Sequence, residues 1–256
     1  MLYVLDGNAY FHHAVVWSRS LAYKPALTDV DPAIIVGLGY PDAADFDLDR
    51  RTLDYTPPVS HATLQARPNG DPWPETGGAA AFLAFVEQVV KPRIESEYPV
   101  DRARQALFGH SFGGLFTLYS AFTAPHLFRS FLASSPSIWF GDGAVLKYET
   151  DFRERLRALG QRRDLFVSIG SEEQTVAPER QAAVGAAWTQ WVGDCRMVDQ
   201  ARDLAARLGA CAPDGLDLTF QMLDGENHAT APLAAMARAI RIGLKSVAPH
   251  AAHSDD

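Results

Sequence analysis

Short apolar runs closed by Gly or Asp alternate along this chain with longer stretches of helical period. Such alternation predicts βαβα units, and hence a mostly parallel central sheet with helices on both faces. The runs at 2–5, 33–38, 104–108, 130–133, 165–169 and 216–223 read as strands. Their near-continuous apolar character suits strands covered on both sides. Between them, 78–98 carries Phe82, Phe85, Val86 and Val89 at i, i+3, i+4 and i+7, one apolar stripe of a helix. Pro92 is expected to kink or end that helix. A second helix is expected from Phe112 to about Phe122, one or two over 178–208, and a last one over 233–247.

The segment 42–76 breaks the rhythm. It is rich in Asp, Pro and Arg and has no strong period, so it reads as a long loop covering part of a single domain that spans 1–248. The polar stretch 249–256 reads as a frayed tail. At 256 residues with 47% hydrophobic positions, the chain can bury one large core. A formal net charge of −8 with no basic run argues against a nucleic-acid partner. No stretch approaches the roughly 18 apolar residues of a membrane span. Cys195 and Cys211, the only cysteines, have no metal-binding spacing; they read as two ordinary thiols, or else as a single bridge. No metal or cofactor motif is present. No basic n-region or cleavage site precedes LYVLDG, which reads as cytoplasmic.

The candidate chemistry centres on Gly109-His110-Ser111-Phe112-Gly113. This GxSxG lies between the apolar run QALF and the helical GLFTLYSAF, the strand–turn–helix setting of a nucleophile elbow. Such a turn is tight, so neighbouring side chains would collide with strand and helix. Ser111 is therefore the expected nucleophile of an α/β-hydrolase fold, in which the acid and then the histidine follow in chain order. Of the later histidines, His126 ends the elbow helix and His250 and His253 lie in the tail. His228, in DGENHAT directly after the last strand, is the expected base. The acid should follow LFVSIG, where Glu172 and Glu173 are both available to hold the imidazole; spacing alone does not choose between them. Phe112 N–H is the first expected oxyanion donor, and Asn8 N–H, after Asp6-Gly7, the second. Arg50 and Arg51 either hold an anionic group of the substrate or pair with Asp47, Asp49 or Asp54. Trp139, in SPSIWF, either stacks on an aromatic ligand or belongs to the core.

Taken together, LYVLDGNAYF, VGLGYP, RRTLDYTP, GHSFGGLF, SPSIW and GENH resemble the esterase D-like α/β hydrolases, closest to the siderophore esterase branch that acts on enterobactin, salmochelin and bacillibactin. The resemblance runs over nearly the whole chain, with the motifs in the family's order. It implies a serine esterase that cleaves an ester or lactone of a catecholate siderophore, a small-molecule partner for which the ferric siderophore is one candidate. It places Ser111 on the family nucleophile, His228 on its base and Glu173 on the glutamate of a G-x-x-E pattern, although some relatives work with a Ser–His dyad. A basic residue before DYTP, here Arg50 or Arg51, would hold the chelate's charge. Relatives carry a further N-terminal segment, with two more strands and, in periplasmic members, a signal. Its absence here is expected to leave a sheet edge open to pairing or to a dimer contact, so monomer and dimer both stay open, as does the periplasm. Two other readings remain: a general carboxylesterase or thioesterase on short acyl esters, and a non-catalytic hydrolase-like binding protein.

Overall fold

The computed structural model describes residues 1–41 and 44–246; the expected tail, with His250 and His253, lies outside them. Six strands, β1 (Leu2–Leu5), β2 (Ile35–Leu38), β3 (Ala106–His110), β4 (Ser130–Ser134), β5 (Arg163–Gly170) and β6 (Leu216–Leu223), form one sheet. Their order is β2-β1-β3-β4-β5-β6 and every pairing is parallel. β1, β3 and β4 are buried at every position, as strands with helices on both faces must be. β6 is an edge strand, and its LDLTFQML alternates between buried and open positions instead.

The main helices are α1 (Gly7–Leu21), α2 (Leu48–Tyr55), α3 (Ala79–Phe85), α4 (Lys91–Glu97), α5 (Phe112–Thr123), α6 (Phe152–Leu159), α7 (Pro178–Val184), α8 (Ala186–Cys195), α9 (Met197–Gly209) and α10 (Ala231–Gly243). On one face α1 and α10 pack Tyr10, Ala14, Ala235, Met236 and Ala239 against Val4, Phe108 and Leu132. The opposite face carries α5 and α9, with Leu115, Phe116, Phe122, Ala201 and Leu204 in the larger core. α5 is apolar nearly all round and buried from Phe112 to Phe122, which fits a helix enclosed on all sides. Among the described residues no helix is long and apolar enough to cross a membrane.

Several expectations are corrected, among them the one or two helices expected over 178–208, which are three, α7, α8 and α9. The segment 42–76 is not structureless, because LDRRTLDY folds as α2. Asp47 caps it by accepting from Arg50 N at 3.0 Å. Of the two outcomes expected at Pro92 the end is overturned: the helix runs on through it, and the irregularity falls just before it, where α3 and α4 are joined by a π-turn at Val86–Val90. The stripe is also rotated. Ala79, Leu83 and Val86 face the core, while Phe85 and Val89 are about half exposed. Of the two cysteine readings the free thiols hold; Cys195 and Cys211 are unbonded and buried.

Candidate active site

All six strands run the same way, so the turns that leave them gather at one end of the sheet. Ser111 stands in the turn between β3 and α5 with φ 61° and ψ −119°, a positive-φ conformation that a non-glycine residue adopts only under constraint. The constraint is visible. Ser111 N–H donates to Ser134 O at 3.1 Å, and the Ser111 carbonyl accepts from Leu115 N at 2.9 Å and Ser137 N at 3.2 Å. The flanking glycines are needed for close approach. A Cβ on Gly109 would sit 2.2 Å from the Gly113 carbonyl oxygen, and one on Gly114 2.7 Å from that of Ser134.

His228 follows β6 in a turn held by two bonds: Asn227 N–H to Thr230 Oγ1 at 3.1 Å, and Ala229 N–H to Asn227 Oδ1 at 2.9 Å. Its Nε2 lies 3.0 Å from Ser111 Oγ and its Nδ1 2.6 Å from Glu173 Oε2. The other carboxylate oxygen, Oε1, accepts from Ser135 Oγ at 2.5 Å and from Gly170 N–H at 2.7 Å. Glu173 is buried, so these three donors replace the water an ionised carboxylate needs. Nδ1 therefore carries the imidazole hydrogen in the neutral ring, and the Nε2 lone pair faces Ser111. Glu172, the alternative acid, also lines the cavity over Ser111, but its carboxylate is 3.9 Å from Arg180 and makes no bond to His228 among the described residues.

A cavity of about 830 Å³ opens over Ser111. Phe112 lines it with its N–H at the first turn of α5, where the helix end favours negative charge. Trp139 lies at its base, 4% exposed, so it is at once core and cavity wall. An aromatic row extends from there to the surface: Phe112 to Trp139 (6.0 Å between ring centroids), Trp139 to Trp191 (5.0 Å) and Trp191 to Trp188 (5.3 Å). On the opposite side Trp73 packs against Trp139 and Phe112 and carries Arg67 over its ring at 5.6 Å.

Two arginines part company with expectation. Arg51 lines the cavity but is committed to Asp6, with Nε to Oδ1 at 2.8 Å and Nη2 to Oδ2 at 2.9 Å. The pair is almost wholly buried, and neither Asp47, Asp49 nor Asp54 is the partner. Arg50 lies outside the cavity lining, stacked at 5.6 Å over the Tyr40 ring; α2 turns successive side chains about 100° apart, so only one of the two faces inward. Asn8 also lies outside the lining. Its carboxamide is tied to the Tyr40 backbone, accepting from N–H at 2.9 Å and donating to the carbonyl at 3.1 Å. Asp6, in the left-handed region at φ 49°, turns the chain into α1, whose first residues include the Asn8 N–H expected as a donor, and its Oδ2 lies beside Gly113 of the elbow.

Sequence reasoning missed Asp6, Ser135, Ser137, Trp73, Trp188 and Trp191. Ser135 has φ 44° and Ser137 Oγ lies 3.4 Å from Ser111 Oγ. The one signal for the serines was their place in SSPS directly after a strand, at the same sheet end as Ser111.

A nucleophile elbow, a histidine and a buried carboxylate on one edge of a parallel sheet define a serine hydrolase of the α/β-hydrolase fold. This chain belongs to the Esterase family of carboxylic ester hydrolases, whose model, described as "Putative esterase", matches residues 1–202. It is similar to the ferri-bacillibactin esterase BesA of Bacillus subtilis (strain 168), at 34% identity over 250 residues that cover 98% of this chain and 80% of that one. It is also similar to the siderophore triacetylfusarinine C esterase of Aspergillus fumigatus, at 37% identity over 221 residues, 83% of this chain and 70% of that protein. Among solved structures, the BES protein from Bacillus cereus superposes with a TM-score of 0.83 at 34% identity, covering 96% of this chain and 84% of that one.

Proposed function

We propose that this esterase hydrolyses ester bonds of a siderophore, with Ser111 as nucleophile, His228 as general base and then acid, and Glu173 as the group that orients His228. The observation that carries the reading is the unbroken hydrogen-bonded line Ser111–His228–Glu173 at the floor of a large aromatic-walled cavity. Relatives at 34% and 37% identity named for siderophore esters support the substrate class.

The reaction follows from the geometry. Ser111 Oγ attacks the ester carbonyl as its proton passes to His228 Nε2. Glu173 offsets the positive charge that forms on the ring and keeps Nδ1 protonated. The oxyanion develops beside Phe112 N–H and the first turn of α5. His228 then protonates the departing alkoxide, which leaves as an alcohol, and an acyl ester remains on Ser111. Water, deprotonated by His228, releases the acid and restores the serine. The cavity is large enough for a drug-sized ligand, and its rings offer stacking surfaces to aryl groups. Arg67 and Arg180, rather than Arg50, line it together with the already paired Arg51.

The test is a comparison of kcat/KM for a catecholate trilactone such as enterobactin, with and without iron, against p-nitrophenyl acetate and butyrate, with products separated by chromatography. Stepwise appearance of linear trimer, dimer and monomer at kcat/KM well above that for the short esters is expected. Preference for the short esters would make this a general carboxylesterase.

A further inference from the structure

The geometry points to His110 as a positioning residue for the base, a second imidazole that seats His228 without taking part in proton transfer. This inference rests on the reading of His228 as base.

His110 is the last residue of β3 and is only 5% exposed. Its ring lies against that of His228, with centroids 4.6 Å apart and planes tilted by 39°. The His228 side chain is 43% exposed, so on its buried side this contact limits where the ring can turn. Tyr10 meets His110 edge-on at 6.2 Å and 84°, and His110 Nδ1 is 3.3 Å from Ser134 Oγ. One imidazole therefore touches both the base's ring and Ser134, the end of β4 whose carbonyl receives Ser111 N–H.

Charge explains why this second imidazole does not compete with the first. Burial holds His110 well below the usual histidine range, and the neighbouring His228 and Arg51 push it further the same way. Asp6, the nearest carboxylate to Arg51, is already engaged in its bidentate pair. A neutral His110 leaves the proton taken from Ser111 on His228. It also offers a ring face to the imidazolium, an interaction of the cation–π kind. An aliphatic residue would supply neither the face nor the N–H, and a ring such as Phe only the face.

The experiment compares His110→Leu and His110→Phe with the parent on a p-nitrophenyl ester. For His110→Leu, kcat should fall roughly 10–100-fold with KM within about threefold, and the acidic limb of kcat/KM should move to lower pH by about half a unit. His110→Phe, which keeps a ring, should recover part of kcat. A His110→Leu protein that melts like the parent, with kcat within about threefold and an unmoved limb, would reduce His110 to core filling. On the unaltered protein, imidazole NMR supplies a readout that does not depend on the variants folding. His110 should stay neutral from pH 5 to 9 while its resonances record the titration of His228. Protonation of His110 in that range, or no response to His228, would overturn the inference. Retained activity in His228→Ala would instead strike the base assignment itself.

Discussion

Ser111, His228 and Glu173 stand on turns that leave β3, β6 and β5, each cross-tied to a neighbouring turn by main-chain bonds such as Ser111 N–H to Ser134 O and Glu172 N–H to Glu226 O. The upper wall of the cavity is built differently. α7 buries none of its residues and α8 only Cys195; they meet at Gly185, with φ 87°. Trp188 and Val184 on these helices are more than 40% exposed. The floor is over-determined and the rim is thinly packed. Local opening is least costly where few apolar contacts must break, so the rim is the part that yields more readily and the floor the part that keeps its geometry.

The sharpest way to break this comparison is at the floor. Ser111→Ala and His228→Ala should each lower kcat by roughly 10⁴–10⁶, and the double variant by little more, because the two act as a unit. Near-additive losses in steady-state kinetics would separate them. Next comes the strut between cover and floor. Arg51→Met leaves the Asp6 carboxylate buried and unpaired and should cost about 3–5 kcal/mol in a urea titration, with part regained on adding Asp6→Asn. A loss below about 1 kcal/mol would mean that α2 is not anchored through this pair. Glu173→Gln should lower kcat about 10²-fold and Glu172→Gln less than twofold. A loss under threefold from Glu173→Gln would instead indicate a Ser–His dyad.

At the rim, Trp188→Ala should raise KM for a bulky aryl ester by about 3–30-fold while leaving p-nitrophenyl acetate unchanged, the loss of one aromatic contact. Equal effects on both esters would place Trp188 in the support of the floor. The smallest effect is on stability against pH. Folded His110 stays neutral through burial, whereas in the unfolded chain an ordinary histidine takes a proton near pH 6.5. Its contribution is therefore complete above about pH 6.5 and is lost as the pH falls below that, by at most about 1.4 kcal/mol per pH unit. Urea midpoints at pH 7.5, 6.5 and 5.5 check this, and His110→Phe should flatten the difference.

The same contrast explains what was legible in the sequence. The elbow was readable because its steric demand selects glycines at fixed positions around Ser111, and His228 because it directly follows a strand at the same sheet end. Glu173 and Glu172 differ only in which way a turn points them, and that depends on Ser135 and Gly170, which the sequence does not mark as partners. The Asp6–Arg51 pair joins residues 45 positions apart, so no local pattern announces it. Arg50 and Arg51 looked alike until α2 separated their directions. That helix was hidden because LDRRTLDY holds too few apolar residues to show a period. Trp188 and Trp191 lie in a stretch that reads correctly as helical, yet periodicity does not say that α8 turns both tryptophans to a cavity.

The most direct test of the central claim is reaction of the folded protein with a fluorophosphonate, followed by intact-mass and peptide mass spectrometry. One adduct per chain on Ser111 is expected, formed at a rate that collapses in His228→Ala. Failure of Ser111 to label, or labelling at another residue with an unchanged rate in His228→Ala, would contradict a serine esterase centred on this turn.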